Sequence, residues 1–483
     1  MDPDEVSQIH ESAVEDWLHR LGKYNTHGIE KLASKYRNGD KCICVKMRNG
    51  SFNWCFEVVF DDGTEWAVRF PVAGNVMYPE EKVRREVAVM RFMKEKTLVP
   101  VPEIIAFGMA ADNHDPEMGP FIIEEWIDGV PLSTIMEELP RPSWGPVLRK
   151  DISDEALYTI YRQIAKILLE LSMHDFDKIG APSLVEHEDG TTPWLVTSAP
   201  MTLKMNEIER AGYVKVDDPL SEPFQTVTEY VDNLVQQNAT HLREQRNSID
   251  GAVDARRKYI LRQRVKSLAP HFVSKSYDSG PFKLICDDFR PGNILVREDT
   301  LEIVAVIDWE WTYAGPYQFL FSPPSWLILE NPTSWTSSGE ARYQTHFLIF
   351  LKALEGEEAQ REIEMGPEVP PDQKMSILMR QSMENGSFWF NELIRESFNF
   401  DEDVLWPNIE HVLKRGGLAE LGFPGKAEVE AFVGRKMEDL NHYRLDLEVL
   451  KEKKKSKLET ERSVIEEKLP MRSLAPPGRT ALV

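Results

Sequence analysis

One short segment, residues 284–311, constrains the fold of this chain more than any other part of the sequence. It contains an acid, Asp288, followed five positions later by an amide, Asn293, and then a second acid, Asp308. Two apolar runs separated by a polar turn lie between Asn293 and Asp308, a pattern that predicts a β-hairpin. Such a hairpin would carry the second acid back towards the loop that bears the first acid and the amide.

The spacing and order of these three residues are typical of protein-kinase-type phosphoryl transfer. In that chemistry one Asp accepts the proton of the acceptor hydroxyl, while an Asn and a second Asp hold magnesium on ATP. The D-x-x-x-x-N spacing places the base and a metal ligand on one loop, and hard cations prefer oxygen donors. We therefore predict Asp288 as catalytic base and Asn293 and Asp308 as magnesium ligands. Asp287 is a weaker candidate for the base, because it lacks the five-residue offset to Asn293.

The same segment resembles the aminoglycoside phosphotransferase family, whose catalytic stretch reads H-G-D-x-x-x-x-N and then I-D-W-E. Asp288, Asn293 and residues 308–310 fall on that pattern, and a looser similarity extends over about residues 48–443. The GP and PSW motifs after the second acid resemble a fungal branch of the family. The resemblance implies ATP and Mg²⁺ as cofactors and transfer of the γ-phosphoryl group to a hydroxyl of a small molecule.

The catalytic loop departs from the family pattern at two positions. Cys286 stands where the family has His, and Asp287 where it has Gly. A packing role is favoured for Cys286, since a nucleophilic thiol would need a base partner that the neighbouring sequence does not provide. Glu310, on the same side of an extended chain as Asp308, either assists the metal shell or forms local hydrogen bonds.

A third departure concerns the phosphate-binding cation. Arg69 stands where the resemblance places a strand Lys that clamps the nucleotide phosphates, and Glu86 on the following helix would be its partner. Arginine keeps the charge, but its planar guanidinium is not equivalent to an ammonium group. The alternative is an arginine on an exposed strand edge with an unpaired helix acid.

The resemblance also assigns the remaining nucleotide contacts. Gly50, Ser51 and Asn53 match the short nucleotide-facing loop of the family. Glu125 and Trp126 match the hinge that offers backbone groups to adenine. Small polar residues between strands more often form a simple turn than a nucleotide-binding loop. The assignment of these residues therefore depends on their position in the chain and not on their side chains.

The periodicity of the apolar residues predicts the fold class. Residues 42–70 alternate as in three β-strands, residues 79 onward form an amphipathic helix, and residues 121–126 form a further strand. From about residue 132 the helical period dominates. We expect an α+β, protein-kinase-like fold with two lobes, a small β-rich N-lobe and a large, mainly helical C-lobe. The expected division is into an N-terminal helical extension, the N-lobe, the C-lobe with the catalytic loop, and a charged helix with a disordered tail, at residues 1–39, 40–131, 132–450 and 451–483.

The charge balance restricts the partners. The chain has 57 Lys and Arg against 80 Asp and Glu, a net charge of −23. A protein with this negative charge repels phosphate backbones and anionic lipid surfaces. We therefore expect neither nucleic acid nor a membrane as a partner. A small-molecule acceptor that is neutral or cationic fits better than an anionic one.

The sequence also suggests a compartment. Four cysteines in 483 residues do not form a disulfide framework, which indicates a reducing environment. The polar, acidic residues 1–10 resemble neither a signal peptide nor a transit peptide. We therefore expect a cytoplasmic protein.

We consider three functions for this sequence. The first is a small-molecule kinase, and the second is a pseudokinase that binds nucleotide or acts as a scaffold, which the substitutions Arg69, Cys286 and Asp287 favour. Protein kinase activity is disfavoured, because Asp308 is followed by Trp-Glu rather than Phe-Gly and no A-P-E element follows.

Overall fold

The computed structural model describes residues 5–468 except 188, 213, 367–368 and 402–403. The predicted tail therefore lies outside the described residues.

The strands are Cys42–Asn49 (β1), Asn53–Phe60 (β2), Glu65–Pro71 (β3), Ile104–Gly108 (β4), Phe121–Glu125 (β5), Val130–Pro131 (β6), Ala181–Leu184 (β7), Trp194–Ser198 (β8), Lys283–Cys286 (β9), Ile294–Val296 (β10), Ile303–Val306 (β11) and Thr312–Gly315 (β12). The α-helices are Glu5–Lys35 (α1), Pro79–Lys96 (α2), Leu132–Met136 (α3), Asp154–Ser172 (α4), Leu203–Gly212 (α5), Val227–Glu244 (α6), Ala252–Phe272 (α7), Tyr317–Leu320 (α8), Ser337–Met365 (α9), Met375–Asn385 (α10), Ser387–Arg395 (α11), Leu405–Arg415 (α12) and Lys426–Lys468 (α13).

The N-terminal part is built on one antiparallel sheet. Within the described residues, five strands pair in the order β1-β2-β3-β5-β4. The β2 sequence alternates between buried and half-buried side chains, because successive residues of a strand face opposite sides. Helix α2 begins with Pro79, which suits a first helical turn. Its buried side chains include Val83 and Val87, which pack with Ile122 of β5.

The C-terminal part is mainly helical and holds the larger core. The side chain of Ser153 accepts a hydrogen bond from the backbone N–H of Ala156 and caps α4. The apolar face of α4, including Leu157, Ile160 and Ile164, is fully buried in this core. Helix α9 packs along α4. Helix α4 also packs against β9, the strand that leads into the catalytic loop.

The predicted catalytic hairpin is present. Strands β10 and β11 are antiparallel, with Ile294 opposite Val306. The backbone N–H of Ile307 donates to the carbonyl of Asn293 at 2.9 Å. Asp308 therefore follows directly after a residue that is hydrogen-bonded to Asn293, which brings the two predicted metal ligands together.

The predicted fold class is confirmed: the protein is α+β, with a β-rich N-terminal part and a helical C-terminal part of the protein-kinase-like type. Strand β4 was not predicted, and the part after residue 132, where the helical period dominates, also contains the strand pair of β7 and β8. The charged residues from Lys451 continue α13 as far as Lys468. Among the helices that the structure describes, none is both long and apolar enough to span a bilayer.

Candidate active site

The predicted site residues meet at one cleft between the sheet and the helical part. The cleft has a volume of about 300 Å³. Among the residues that line it are all but one of those predicted from the sequence: Gly50, Ser51, Asn53, Arg69, Glu125, Trp126, Asp288, Asn293 and Asp308. The exception is Glu86, which lies behind the cleft on α2 and is fully buried. Residues from five distant parts of the chain thus share one cavity.

The catalytic loop joins β9 to β10 and is held by its own side chains. The Asn293 amide donates to the Asp288 carboxylate at 2.8 Å and to the Asp288 carbonyl at 2.9 Å. Arg290 Nε donates to the other carboxylate oxygen at 2.6 Å. Burial raises the pKa of Asp288, although Arg290 and Asn293 both oppose the rise. A carboxylate with a raised pKa is a better proton acceptor than an ordinary one.

Asp308 lies at the end of β11 in a left-handed backbone conformation. Its φ is 58°, which is uncommon for a residue other than glycine and recurs at functional sites. Its Oδ1 accepts a hydrogen bond from Arg69 Nη2 at 2.7 Å. Burial raises the pKa of Asp308, and the Arg69 guanidinium offsets part of that rise.

Arg69 is the centre of a buried group of carboxylates rather than an edge residue. Its Nη1 lies 2.8 Å from Glu86 Oε1, so the expected pair is present. The same nitrogen donates to Glu124 at 3.2 Å. Burial would raise the pKa of Glu86, but Arg69 and Lys82 hold it below its ordinary value. Burial dominates at Glu124 and raises its pKa to about 7.

A second buried cation, Lys82, lies on the same side of α2 as Glu86. Its Nζ donates to Asn53 Oδ1 at 2.8 Å and to Glu86 Oε2 at 3.4 Å, and it pairs with Glu310. The Asn53 amide in turn donates to Glu310 Oε2 at 2.6 Å. Glu310 is thus bound by side chains distant in sequence, not by the local hydrogen bonds considered above, and its part in a metal shell stays a prediction.

The buried charged group on β3, α2 and β5 and after β11 has more carboxylates than cations. Four carboxylates, Glu86, Glu124, Asp308 and Glu310, face two cations, Arg69 and Lys82. The group therefore carries an excess of one to two negative charges, depending on whether Glu124 is ionised. Magnesium commonly binds through one or two protein oxygens together with substrate phosphates and water. The oxygen atoms of Asn293 and Asp308 are donors of the kind required.

The hinge residues are already engaged through their backbones. The N–H of Glu125 donates to the carbonyl of Glu103 at 2.9 Å, and the N–H of Trp126 donates to that of Glu65 at 3.2 Å. Adenine contacts by these two residues would therefore use their carbonyl oxygens. The Arg48 guanidinium lies over the Trp126 ring, 5.1 Å from its centroid, and both line the cleft.

The two unusual residues of the catalytic loop have structural partners. Asp287 accepts hydrogen bonds from Arg395 at 3.1 Å and from Tyr313 at 3.2 Å, which ties the loop to α11 and β12. Burial raises the pKa of the Cys286 thiol. Such a thiol is mainly protonated and therefore a poor nucleophile.

Sequence reasoning missed Lys82, Glu124, Arg290 and Arg395. One signal was available for Lys82, since it precedes Glu86 by four residues and such positions share a helix face. Arg290 contacts Asp288 two residues away, Glu124 contacts Arg69 across 55 residues, and Arg395 contacts Asp287 across 108 residues. Their spacing in the sequence gives no comparable indication.

The sequence model of the phosphotransferase enzyme family matches residues 52–319. That range is more than half of the chain, which therefore belongs to this family, and the expected relationship with aminoglycoside phosphotransferases is confirmed. Altered inheritance of mitochondria protein 9 from Debaryomyces hansenii is 23% identical over 339 residues, 62% of this chain and 52% of that protein. Its namesake from Lodderomyces elongisporus is 34% identical over 148 residues, 30% of this chain and 21% of that protein. The chain thus spans about half the length, or less, of these curated relatives.

Solved structures show a more distant likeness. A putative aminoglycoside phosphotransferase from Ralstonia eutropha JMP134 is 11% identical with a TM-score of 0.40, over 79% of this chain and 98% of that chain. A putative fructosamine-3-kinase from Thermobifida fusca is 13% identical with a TM-score of 0.39, over 80% and 99% of the two chains. Neither likeness bears on the acceptor.

The expectation of a cytoplasmic protein is wrong. The curated relatives that the chain matches are named as mitochondrial proteins. The expectation depended on cysteine content and on the composition of residues 1–10. Cysteine content separates reducing from oxidising compartments, but it does not separate one reducing compartment from another.

Proposed function

We propose that this phosphotransferase family member is an ATP- and magnesium-dependent kinase that transfers the γ-phosphoryl group to a hydroxyl of a small molecule. The observation that carries the proposal is the arrangement at the cleft. Asp288 and Asn293 are hydrogen-bonded on one loop, and Asp308 follows a residue bonded to Asn293. Arg69, on β3 of the N-terminal part, donates a hydrogen bond to Asp308 at 2.7 Å.

Each residue has a role that its surroundings support. Asp288 accepts the proton of the acceptor hydroxyl, and Asn293 holds its carboxylate in a fixed orientation. Asn293 and Asp308 would hold magnesium, which neutralises negative charge on the transferring phosphoryl group. Arg69 supplies fixed positive charge on the side of the cleft formed by β3.

The acceptor would bind beside the catalytic loop on the side of the helical part. A cavity of about 110 Å³ lies there, with Asp287, Phe289 and Glu392 among its lining residues. Three acids, Asp287, Glu392 and Glu396, and one cation, Arg395, line this cavity. The excess of acidic side chains supports a neutral or cationic acceptor over an anionic one.

A pseudokinase remains the second candidate, and two ion pairs favour it. Asp308 is paired with Arg69 at 2.7 Å, and Asp288 with Arg290 at 2.6 Å. Both carboxylates thus have cationic partners within the protein. A protein that bound nucleotide only through Arg69 and the hinge would keep these pairs and would not turn ATP over.

Magnesium-dependent nucleotide binding tests the proposal. ATP with Mg²⁺ should raise the melting temperature of the parent protein, since a ligand at 100 times its Kd adds about 2.7 kcal/mol to the free energy of unfolding. Asp308→Asn should abolish the magnesium-dependent part of the rise. Asp299→Asn, an exposed acid in the turn of the same hairpin, is the matched control and should behave as the parent. An equal rise in Asp308→Asn would refute the metal assignment.

A further inference from the structure

Lys82 is an unusual residue for its position. Its side chain is 1% exposed, on the fourth residue of α2. Lysine is almost never fully buried unless it is paired, because removing an ammonium group from water is costly. A buried lysine therefore needs partners that replace its hydration.

Three oxygens replace that hydration. An ammonium group has three N–H donors, and Lys82 Nζ has three acceptors within reach: Asn53 Oδ1 at 2.8 Å, Glu86 Oε2 at 3.4 Å and Glu310 Oε2. Its protons are thus committed within the protein. Because the side chain is also buried, Lys82 is not placed to contact a nucleotide directly.

Asn53 connects Lys82 to the nucleotide-facing loop. The Asn53 side chain accepts from Lys82 and donates to Glu310 at 2.6 Å, which closes a ring of three side chains. Its backbone carbonyl accepts from the N–H of Gly50 at 2.8 Å, which closes the loop of residues 50–53. The orientation of this loop is therefore set by a side chain of α2.

The ring also connects with the phosphate clamp. Glu86 lies between the two cations, 3.4 Å from Lys82 Nζ and 2.8 Å from Arg69 Nη1. Arg69 in turn contacts Asp308. A continuous series of charge-assisted contacts thus runs from the loop through α2 to the predicted metal ligand, and networks of this kind hold their members in one arrangement.

We propose that Lys82 is a positioning residue for the nucleotide, which acts through Asn53 and Glu310 to hold the 50–53 loop closed over the cleft. This inference rests on the proposed function in so far as the ligand is ATP with magnesium. The effect of Lys82 on the conformation of the 50–53 loop does not depend on any ligand. The two parts are therefore measured separately.

Hydrogen exchange measures the hold on the loop in the full chain without nucleotide. In Lys82→Met, a peptide that contains residues 50–53 should exchange at least about tenfold faster than in the parent, because the ring that fixes Asn53 is lost. Peptides from α4 and α9 should not change. Lys94→Met, an exposed lysine on the same helix, is the matched control and should leave the loop unchanged.

Equilibrium binding of ATP with Mg²⁺ measures the consequence for the ligand. Lys82→Met and Asn53→Ala should each weaken binding about tenfold, and the double variant should be no worse than about tenfold, because both changes break one ring. A purely structural role of Lys82 would instead give independent effects that multiply to about a hundredfold. If Lys82→Met does not fold, Lys82→Gln, which keeps a polar side chain, replaces it in the same cycle with Asn53→Ala.

The outcomes separate the two proposals. Failure of the parent to bind ATP with magnesium refutes the proposed function, while faster loop exchange in Lys82→Met still supports the effect of Lys82 on the 50–53 loop. Unchanged loop exchange in Lys82→Met, or multiplying effects in the double variant, refutes the positioning role even if the parent binds ATP.

Discussion

Arg69 and Asp308, 239 residues apart in sequence, are joined by a hydrogen bond of 2.7 Å between a guanidinium nitrogen and a carboxylate oxygen. One is the predicted phosphate clamp and the other a predicted metal ligand. Arg69 is also shared with Glu86 and Glu124, so it offsets only part of the negative charge around Asp308. Binding of ATP with magnesium would give each a stronger partner, a phosphate for Arg69 and a divalent cation for Asp308. The pair therefore keeps both side chains in the cleft before the ligand arrives.

Substitution of Arg69 should affect stability and binding differently. Arg69→Met leaves Glu86, Glu124 and Asp308 without their shared partner, so the free energy of unfolding should fall by about 3–5 kcal/mol. Arg69→Lys keeps the charge and should bind ATP with magnesium within about tenfold of the parent, whereas Arg69→Met should lose one charged contact, about 1.5–3 kcal/mol. Denaturant unfolding and calorimetric titration would measure the two effects. An Arg69→Met variant as stable as the parent would contradict the buried network.

Glu124 should make the stability depend on pH near neutrality. Its pKa is raised to about 7 in the folded protein from an ordinary value of 4.5. The folded state then binds the proton more tightly than the unfolded state, so the contribution of Glu124 is fully present below about pH 4.5 and is lost as the pH rises through 7. Relative to Glu124→Gln, the parent should lose on the order of 2 kcal/mol between pH 5 and pH 8.

The neighbouring acid provides the control for that measurement. Glu125 is exposed, and Glu125→Gln should follow the pH dependence of the parent. Denaturant midpoints at several pH values suffice for the comparison. If the parent and Glu124→Gln lose stability in parallel, Glu124 ionises like an ordinary carboxyl and the description of its burial is wrong.

Cys286 should be dispensable for chemistry. Burial raises the pKa of its thiol, so the thiolate needed by a nucleophile is scarce. Cys286→Ala should keep ATP turnover within about tenfold, whereas loss of a true nucleophile can cost about a millionfold. Rates of ADP release, measured with the melting temperature of each variant, would decide the matter. A loss of three or more orders of magnitude in a folded Cys286→Ala protein would point to covalent catalysis.

Much of the fold could be predicted because local patterns determine it. The alternation in residues 53–60 and the helical period after Pro79 both reflect burial of one face. The hairpin after Asn293 was predictable for the same reason. Strand β4 was missed: Ile104–Gly108 is short, and its burial does not alternate regularly.

The candidate site was only partly predictable, for a different reason. Asp288 and Asn293 are five residues apart, so their proximity follows from local geometry. The contact of Arg69 with Glu124, or of Lys82 with Glu310, depends on how distant elements pack together. Sequence spacing encodes neither such contacts nor the burial that raises the pKa of Glu124.

Asp288, rather than Asp287, is proposed as the base of a working kinase. Asp287 is bound to Arg395 and Tyr313, contacts that an asparagine can largely keep. Asp287→Asn should therefore retain most of the turnover. General bases typically contribute 10²–10⁴-fold, so Asp288→Asn should reduce turnover by about that factor while ATP affinity stays unchanged.

The most direct test is ATP turnover by the parent, Asp287→Asn and Asp288→Asn at saturating ATP and magnesium, with nucleotide affinity measured in the same preparations. We expect similar affinity in all three proteins and a loss of about 10²–10⁴-fold in turnover for Asp288→Asn alone. Equal residual hydrolysis in the three proteins, at equal affinity, would contradict it and favour the pseudokinase.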